Sequence, residues 1–354
     1  MHSPTVSDNK NNRLSTIFSF IPTTAASATA IAGLLLGTLV VPQLAFADEA
    51  PSGKLVIYTS QAPETAQQTI DAFKAAYPGI QVEWSRNGTT QLMNVLHTEM
   101  MAGGVKADVL LVADSINLGA LKKEGKLMAY PQAPVGNIKS EFYDKDKTWF
   151  GTKIIATVIG YNTKNAKPVD SWLALTDASN KGQVAVPSPL YSGAALYNLH
   201  TAINTPSIGW DFYQKLAAND ISPEGGNGPA LKAVASGLAK YGVITDADII
   251  LAKKKGSPID LVYPKEGVSF VTEPVAILSS THNIPASKAF VNFLLSKQGQ
   301  ELVVKQGNRP IDENIAAPEG FEPISKIKLL TLDSDKAVDD DKQVRAKFTQ
   351  IFGG

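Results

Sequence analysis

The chain has no cysteine. That excludes disulfides, thiolate metal centres and thiol catalysis. It also excludes a bacterial lipid anchor, which needs a cysteine just after the leader. An excess of one charge is missing too: 354 residues carry 33 basic and 33 acidic side chains. Setting aside Asp8, Lys10 and Arg13 near the start leaves a single acidic excess. Nucleic acid and anionic membrane surfaces are therefore poor partners, and an anion has to be held by local geometry. Catalytic signatures are also absent. No G-x-S-x-G elbow, H-E-x-x-H helix or G-x-x-x-x-G-K-[ST] loop occurs. Of the four histidines, His97 and His200 fall in helical patterns. Binding without turnover is the expectation, with a hydrolase of phosphate esters as the reading from another class. No cofactor is called for.

One long apolar run is present, from about Ala25 to Val41, preceded by Lys10 and Arg13. Ala45-Phe46-Ala47 follows, with small residues at its first and last positions. This is the pattern of a secretory signal over residues 1–47, cut after Ala47. A membrane anchor is the competing reading, because the run approaches the shortest spanning length. The cleavage pattern favours the signal, and hence an exported, unanchored protein of the periplasm.

About 300 residues beyond the leader exceed one ordinary core, so two lobes are expected. Short apolar runs alternate with helical patterns: Lys54–Thr59, Ile80–Trp84 and Val109–Val112 read as strands, Glu64–Tyr77, Thr90–Met101 and Ile116–Glu124 as helices. That order implies a mostly parallel sheet with helices on both faces, an α/β fold. Gly151–Asn162 and Val268–Leu278 are extended apolar stretches able to cross between lobes. The expected division is residues 48–156 with 272–354 for one lobe and 157–271 for the other. Two hinge crossings would leave a central cleft. The acidic run from Asp333 to Asp341 lacks the glycine and final glutamate of a calcium loop, and suits a helix N-terminus better.

The stretch Gln183–Leu199 is the most informative. A short strand ends at Pro187 and Pro189, and Ser192-Gly193-Ala194-Ala195 opens a helix to about Ile203. A helix start offers unpaired N–H groups and about half a positive charge. Gly193 and Ala194 would let an anion approach the bare amides, and Ser192 adds a hydroxyl. A plain N-cap is the simpler role for Ser192. Ser60-Gln61 at the end of a strand and Thr89-Thr90 at a helix start repeat the pattern. Together they suit a phosphate-like ligand.

Leu55–Ser60, Gly88–Leu92, Ala107–Leu111 and Ser192-Gly193 resemble periplasmic substrate-binding proteins of bacterial ABC importers. Tyr241–Asp246, Lys253–Pro258, Tyr263–Gly267, Val271–Ala276 and Phe290–Ser296 with Gly299–Glu301 strengthen the likeness. The nearest branch is that of ferric-ion binders and their relatives for phosphorylated solutes. The resemblance implies two α/β lobes closing on ligand, an inner-membrane permease partner and a monomeric binding protein. In the iron-binding members two consecutive tyrosines precede the Lys-rich turn. Here Thr245-Asp246-Ala247-Asp248 stands there, and none of the ten tyrosines has a tyrosine neighbour. The pattern is closer to hexose-phosphate binders, with a ferric or organophosphonate ligand as the alternative.

In that reading the phosphate rests on Ser60, Gln61, Thr89, Thr90, Ser192, Gly193 and Ala194. Carboxylates read ligand hydroxyls, since one can hold two neighbouring OH groups. Asp246 is the first choice, with Glu266, Glu273 and Asp114 next and Thr245 as helper. Each has a structural alternative: a helix cap for Asp246, a solvated turn for Glu266, an interlobe hydrogen bond for Glu273.

Overall fold

The computed structural model describes residues 50–353. The leader and its cleavage after Ala47 lie outside the described residues. The chain opens with β1 (Gly53–Thr59), α1 (Pro63–Ala76), β2 (Ile80–Arg86), α2 (Thr89–Met101), β3 (Val109–Leu111) and α3 (Ser115–Lys123). β1 pairs in parallel with β2 from Gly53 opposite Ile80 to Thr59 opposite Arg86, and with β3 on its other side. Period-two alternation along β1 sends Ile57 to one face and Tyr58 to the other. Ile57 packs with Phe73, Phe290 and Phe293, while Tyr58 joins Leu92, Leu96 and Leu121. Burying each large apolar side chain contributes about 1.5–3 kcal/mol, so this two-sided sheet anchors the first lobe.

The second lobe is built on β4 (Lys153–Asn162), followed by β5 (Val184–Ala185), α4 (Gly193–Ile203), α5 (Gly209–Ala218), α6 (Asn227–Ser236), β6 (Tyr241–Thr245), α7 (Asp246–Lys254) and β7 (Ile259–Val262). β8 (Phe270–Val271), β9 (Val275–Ile277), α8 (Ile284–Leu295), α9 (Lys297–Lys305), β10 (Arg309–Pro310) and α10 (Ser334–Phe352) complete the chain. The sheets run β2-β1-β3-β9 and β10-β4-β6-β5, with β7 and β8 also on β4. Ile159, Val243, Phe212 and Tyr213 pack on one face of the second sheet; Val158, Ile244, Val234 and Ile249 pack on the other. Among the described residues no helix is long and apolar enough to cross a membrane.

The two extended stretches lie side by side where the lobes join. The amides of Thr152 and Lys153 donate to Thr272 O at 2.9 and 3.2 Å, and Phe150 pairs with Val275. Gly151 is required there: a Cβ would meet Ile311, Phe142 O and Thr272 at 2.6–2.8 Å. β9 runs antiparallel to β3, so the returning strand closes the first sheet. One part of the expected division does not hold. Everything after 272 was expected in the first lobe, yet Val344 and Phe348 of α10 belong to the second lobe's apolar cluster. Farther up the same helix, Ala337 packs with Ile116 and Leu196, one from each lobe. The amphipathic face of α10 is apolar enough to bury, and the second lobe offers the aromatic surface that buries it.

Candidate functional site

The α4 start forms as its sequence requires. Ser192 is the N-cap, its Oγ accepting from Ala195 N at 3.3 Å. A hydroxyl that accepts can still donate, so the cap leaves the Ser192 proton available. The amides of Gly193 and Ala194 precede the first intrahelical bonds and stay unused within the helix. Across the cleft they face Thr89 and Asp114. A Cβ on Gly193 would fall 2.2 Å from Asp114 Oδ2 and 2.7 Å from Thr89 Oγ1. Only glycine permits that approach. A second close contact flanks it: Tyr191 lies against Gly88, where a Cβ would come 2.6 Å from its carbonyl oxygen and 2.8 Å from its ring. Thr90 N reaches Tyr191 O at 3.4 Å, and Arg86 Nη1 is 3.3 Å from the Tyr191 hydroxyl. Arg86 Nε also donates to Gln61 O at 2.9 Å.

Asp114 caps α3, its Oδ1 accepting from Asn117 N at 2.8 Å. It is fully buried. Burial raises its carboxyl above the usual range; bonds from Asn117 and the charge of Arg345 oppose the rise, and Asp341 adds to it. Sequence reasoning missed Arg345. On α10 it pairs with Asp341, its Nε 2.8 Å from Oδ2. Its Nη1 donates to Thr90 Oγ1 at 3.1 Å and to Pro189 O at 3.2 Å. The i,i+4 spacing of Asp341 and Arg345 signals a helical pair, but nothing local tells that this helix returns to the cleft.

A second polar group gathers at the hinge. Gln61 Nε2 donates to Glu273 Oε2 at 2.8 Å, and Lys153 Nζ stands 2.6 Å from the same oxygen. All three side chains are buried. Glu273 has a positive φ of 40°, a costly backbone for a residue with a side chain. Thr152 Oγ1 donates to its carbonyl at 2.8 Å and holds it there. The Thr245 hydroxyl donates to Asp248 Oδ2, and burial raises the Asp248 carboxyl. Lys153 was also missed, although a lysine opening the apolar run Ile154–Ile159 is a readable irregularity. Ser60, one residue before Gln61, has its Oγ buried with no partner.

Two carboxylates expected to read hydroxyls are engaged elsewhere. Asp246 Oδ1 accepts from Ala156 N at 3.0 Å and Ala247 N at 2.8 Å; Oδ2 accepts from Tyr263 OH at 3.1 Å and lies 3.9 Å from Arg309. Fully buried, it braces β4 against α7 and the Arg309 segment. Glu266 holds the turn at Ser171 and Trp172, accepting from the Ser171 hydroxyl and from Trp172 N at 3.1 Å. The geometry gives both a structural part. Among the described residues no group of three His, Asp or Glu is placed to hold a metal ion.

Two α/β lobes, paired hinge strands and polar groups converging between them define a solute-binding protein of the clamshell kind. The family described as bacterial extracellular solute-binding protein matches residues 55–309, and the chain belongs to it. An uncharacterised protein of Haemophilus influenzae is 29% identical over 317 residues, covering 84% of this chain and 90% of its own. Among solved structures, the periplasmic binding protein AfuA of Actinobacillus pleuropneumoniae, with exogenous fructose-6-phosphate bound, superimposes with a TM-score of 0.78 at 24% identity. It covers 85% of this chain and 98% of its own. The ferric binding protein of Campylobacter jejuni gives a TM-score of 0.74 at 22% identity, covering 84% and 99%. Both likenesses concern the fold, and they bear out the two-lobed α/β architecture read from the sequence.

Proposed function

We propose that the chain is the periplasmic solute-capturing component of an ABC importer and that it binds a phosphorylated small organic solute, a sugar phosphate first among them. The observation that carries this reading is the α4 start. The bare amides of Gly193 and Ala194 and the Ser192 cap sit at one helix start, Thr89 and Asp114 of the other lobe lie against Gly193, and Arg345 bonds the neighbouring Thr90 hydroxyl. Such a point favours an oxyanion. A missing tyrosine pair argues against a ferric site of the kind the family's iron binders use, because hard phenolate ligands are lacking. An inner-membrane permease is the partner this role requires. The protein works as a binder, and phosphate release from an ester panel would expose the competing hydrolase.

Asp114 sharpens the reading. Its carboxylate lies against the helix start, where a ligand oxyanion would also lie. Two negative charges cannot share that place, so one proton has to sit between them. A phosphate monoester has its second pKa near about 6 and can supply it. Affinity should therefore rise as pH falls from about 8 to about 6, with proton uptake seen by calorimetry in buffers of different ionisation enthalpy. Asp114→Asn should flatten the profile. An affinity that rises with pH in the wild type would contradict this placement.

The direct experiment is a melting series with a hexose 6-phosphate, the free hexose and ferric ion. A ligand at about 100 times its Kd adds about 2.7 kcal/mol to stability. The hexose phosphate should stabilise the protein and the free hexose should do little. Stabilisation by ferric ion alone, with a visible charge-transfer band, would overturn the reading.

A further inference from the structure

We infer that Lys153, Glu273 and Asp248 form a second, polyol-reading pole of the cleft, selecting solutes whose far end is an uncharged run of hydroxyls. This rests on the proposed reading of the cleft as a site for a phosphorylated solute, and it names what the other end of that solute must be.

Four observations carry it. Lys153 is buried on the strand that joins the lobes, with 3% of its surface exposed, and lies 2.6 Å from Glu273. Its charge is thus already neutralised inside the protein, so it has no need of a second ligand anion. Glu273 receives both Gln61 and Lys153 on one oxygen, Oε2. Oε1 keeps its lone pairs for another donor. Asp248 likewise uses Oδ2 for Thr245 and has Oδ1 left over. It is near enough for the Lys153 charge to lower its pKa and the Glu273 charge to raise it. Finally, the Glu273 backbone is held at φ 40°, a strain that fixes where the carboxylate points and that such sites retain for function.

The spare capacity is therefore two carboxylate acceptors and the remaining N–H groups of an ammonium, which carries three donors. A vicinal diol matches that set: each hydroxyl can donate to a carboxylate and accept from the ammonium. A carboxylate or second phosphate on the ligand would face Glu273 and Asp248 and be repelled. A bare hydrocarbon would offer no donor to Glu273 Oε1 or Asp248 Oδ1. The buried, partnerless Ser60 Oγ adjoins Gln61 and supplies one further hydroxyl at this end.

Titration calorimetry with fructose 6-phosphate, fructose 1,6-bisphosphate, propyl phosphate and inorganic phosphate tests the proposal. Wild type should bind fructose 6-phosphate at least about tenfold more tightly than the other three, a preference worth about 1.4 kcal/mol. The paired variant Lys153→Met with Glu273→Gln removes both charges together and avoids stranding one of them. In it the tenfold preference should collapse, while affinity for inorganic phosphate changes less than about twofold. Asp248→Ala, which leaves the ion pair intact, should erode the same preference. Circular dichroism and melting curves establish that each variant is folded. Equal weakening of every probe, or an unchanged ranking, overturns the proposal and leaves the phosphate reading intact. If no phosphorylated probe binds wild type, the phosphate reading fails, and the neutral polyols decide: binding of fructose or sorbitol that the paired variant abolishes sustains the polyol pole, and no binding overturns it.

Discussion

Gly193→Ala should weaken ligand binding by at least about 100-fold, close to 2.7 kcal/mol, while leaving the ligand-free fold nearly as stable. The added Cβ would lie 2.2 Å from Asp114 Oδ2 and 2.7 Å from Thr89 Oγ1. Neither neighbour can retreat cheaply. Asp114 is fully buried and pinned by Asn117 at 2.8–3.1 Å, and Thr89 opens α2 in a buried position. The lobes must then stay apart or the anion cradle must open. Either change acts between the lobes and spares both cores, which is why affinity and stability should separate. Calorimetry gives the affinity, and small-angle scattering gives the radius of gyration with saturating ligand. The variant should fail to contract where wild type contracts. An unchanged Kd would show that the α4 start is not where ligand and closure meet.

Asp246→Ala should have the largest effect on stability, about 3–5 kcal/mol by urea unfolding, as when one partner of a buried charge pair is removed. It strands the amides of Ala156 and Ala247, the Tyr263 hydroxyl and the buried Arg309 guanidinium. The ranking among sugar phosphates should not change, since both Asp246 oxygens are engaged within the protein. Burial raises this carboxyl from the ordinary 3.8 to about 6, against the pull of Arg309 and its hydrogen bonds. The folded state therefore binds a proton more tightly than the unfolded chain does. The contribution of this group to stability falls as pH rises from about 4 to about 6 and is flat above. Asp246→Asn should remove that part of the pH slope. A reordered ligand ranking in Asp246→Ala would return the residue to the binding site.

The α/β architecture was legible because its signals are local. Alternating apolar runs, Pro63 at the first turn of α1, and Ser192 before Gly193 each declare an element. α4 begins and ends where the sequence pattern places it. Ser192 and Thr89 were legible as helix-start residues for the same reason: Ser192 caps α4 and Thr89 opens α2. What escaped was set by contacts distant in sequence. Asp246 reads as a polar residue free for ligand until Ala156 and Arg309, 90 and 63 positions away, take its oxygens. Arg345 lies 255 positions from Thr90, and α10 reaches the cleft only because Val344 and Phe348 find aromatic cover on the second lobe. Lys153 stands out at the head of an apolar strand, but its pairing with Glu273, 120 positions away, is not written locally.

Capture of a phosphorylated solute at the α4 start is tested most directly by one titration, a hexose 6-phosphate into wild-type protein at neutral pH. Saturable binding at one site, with the free hexose at least about 100-fold weaker, is the expected result, because the oxyanion supplies charge-assisted bonds that the hexose lacks. Equal affinity for hexose and hexose phosphate, or no binding of either beside tight binding of ferric ion, would contradict it.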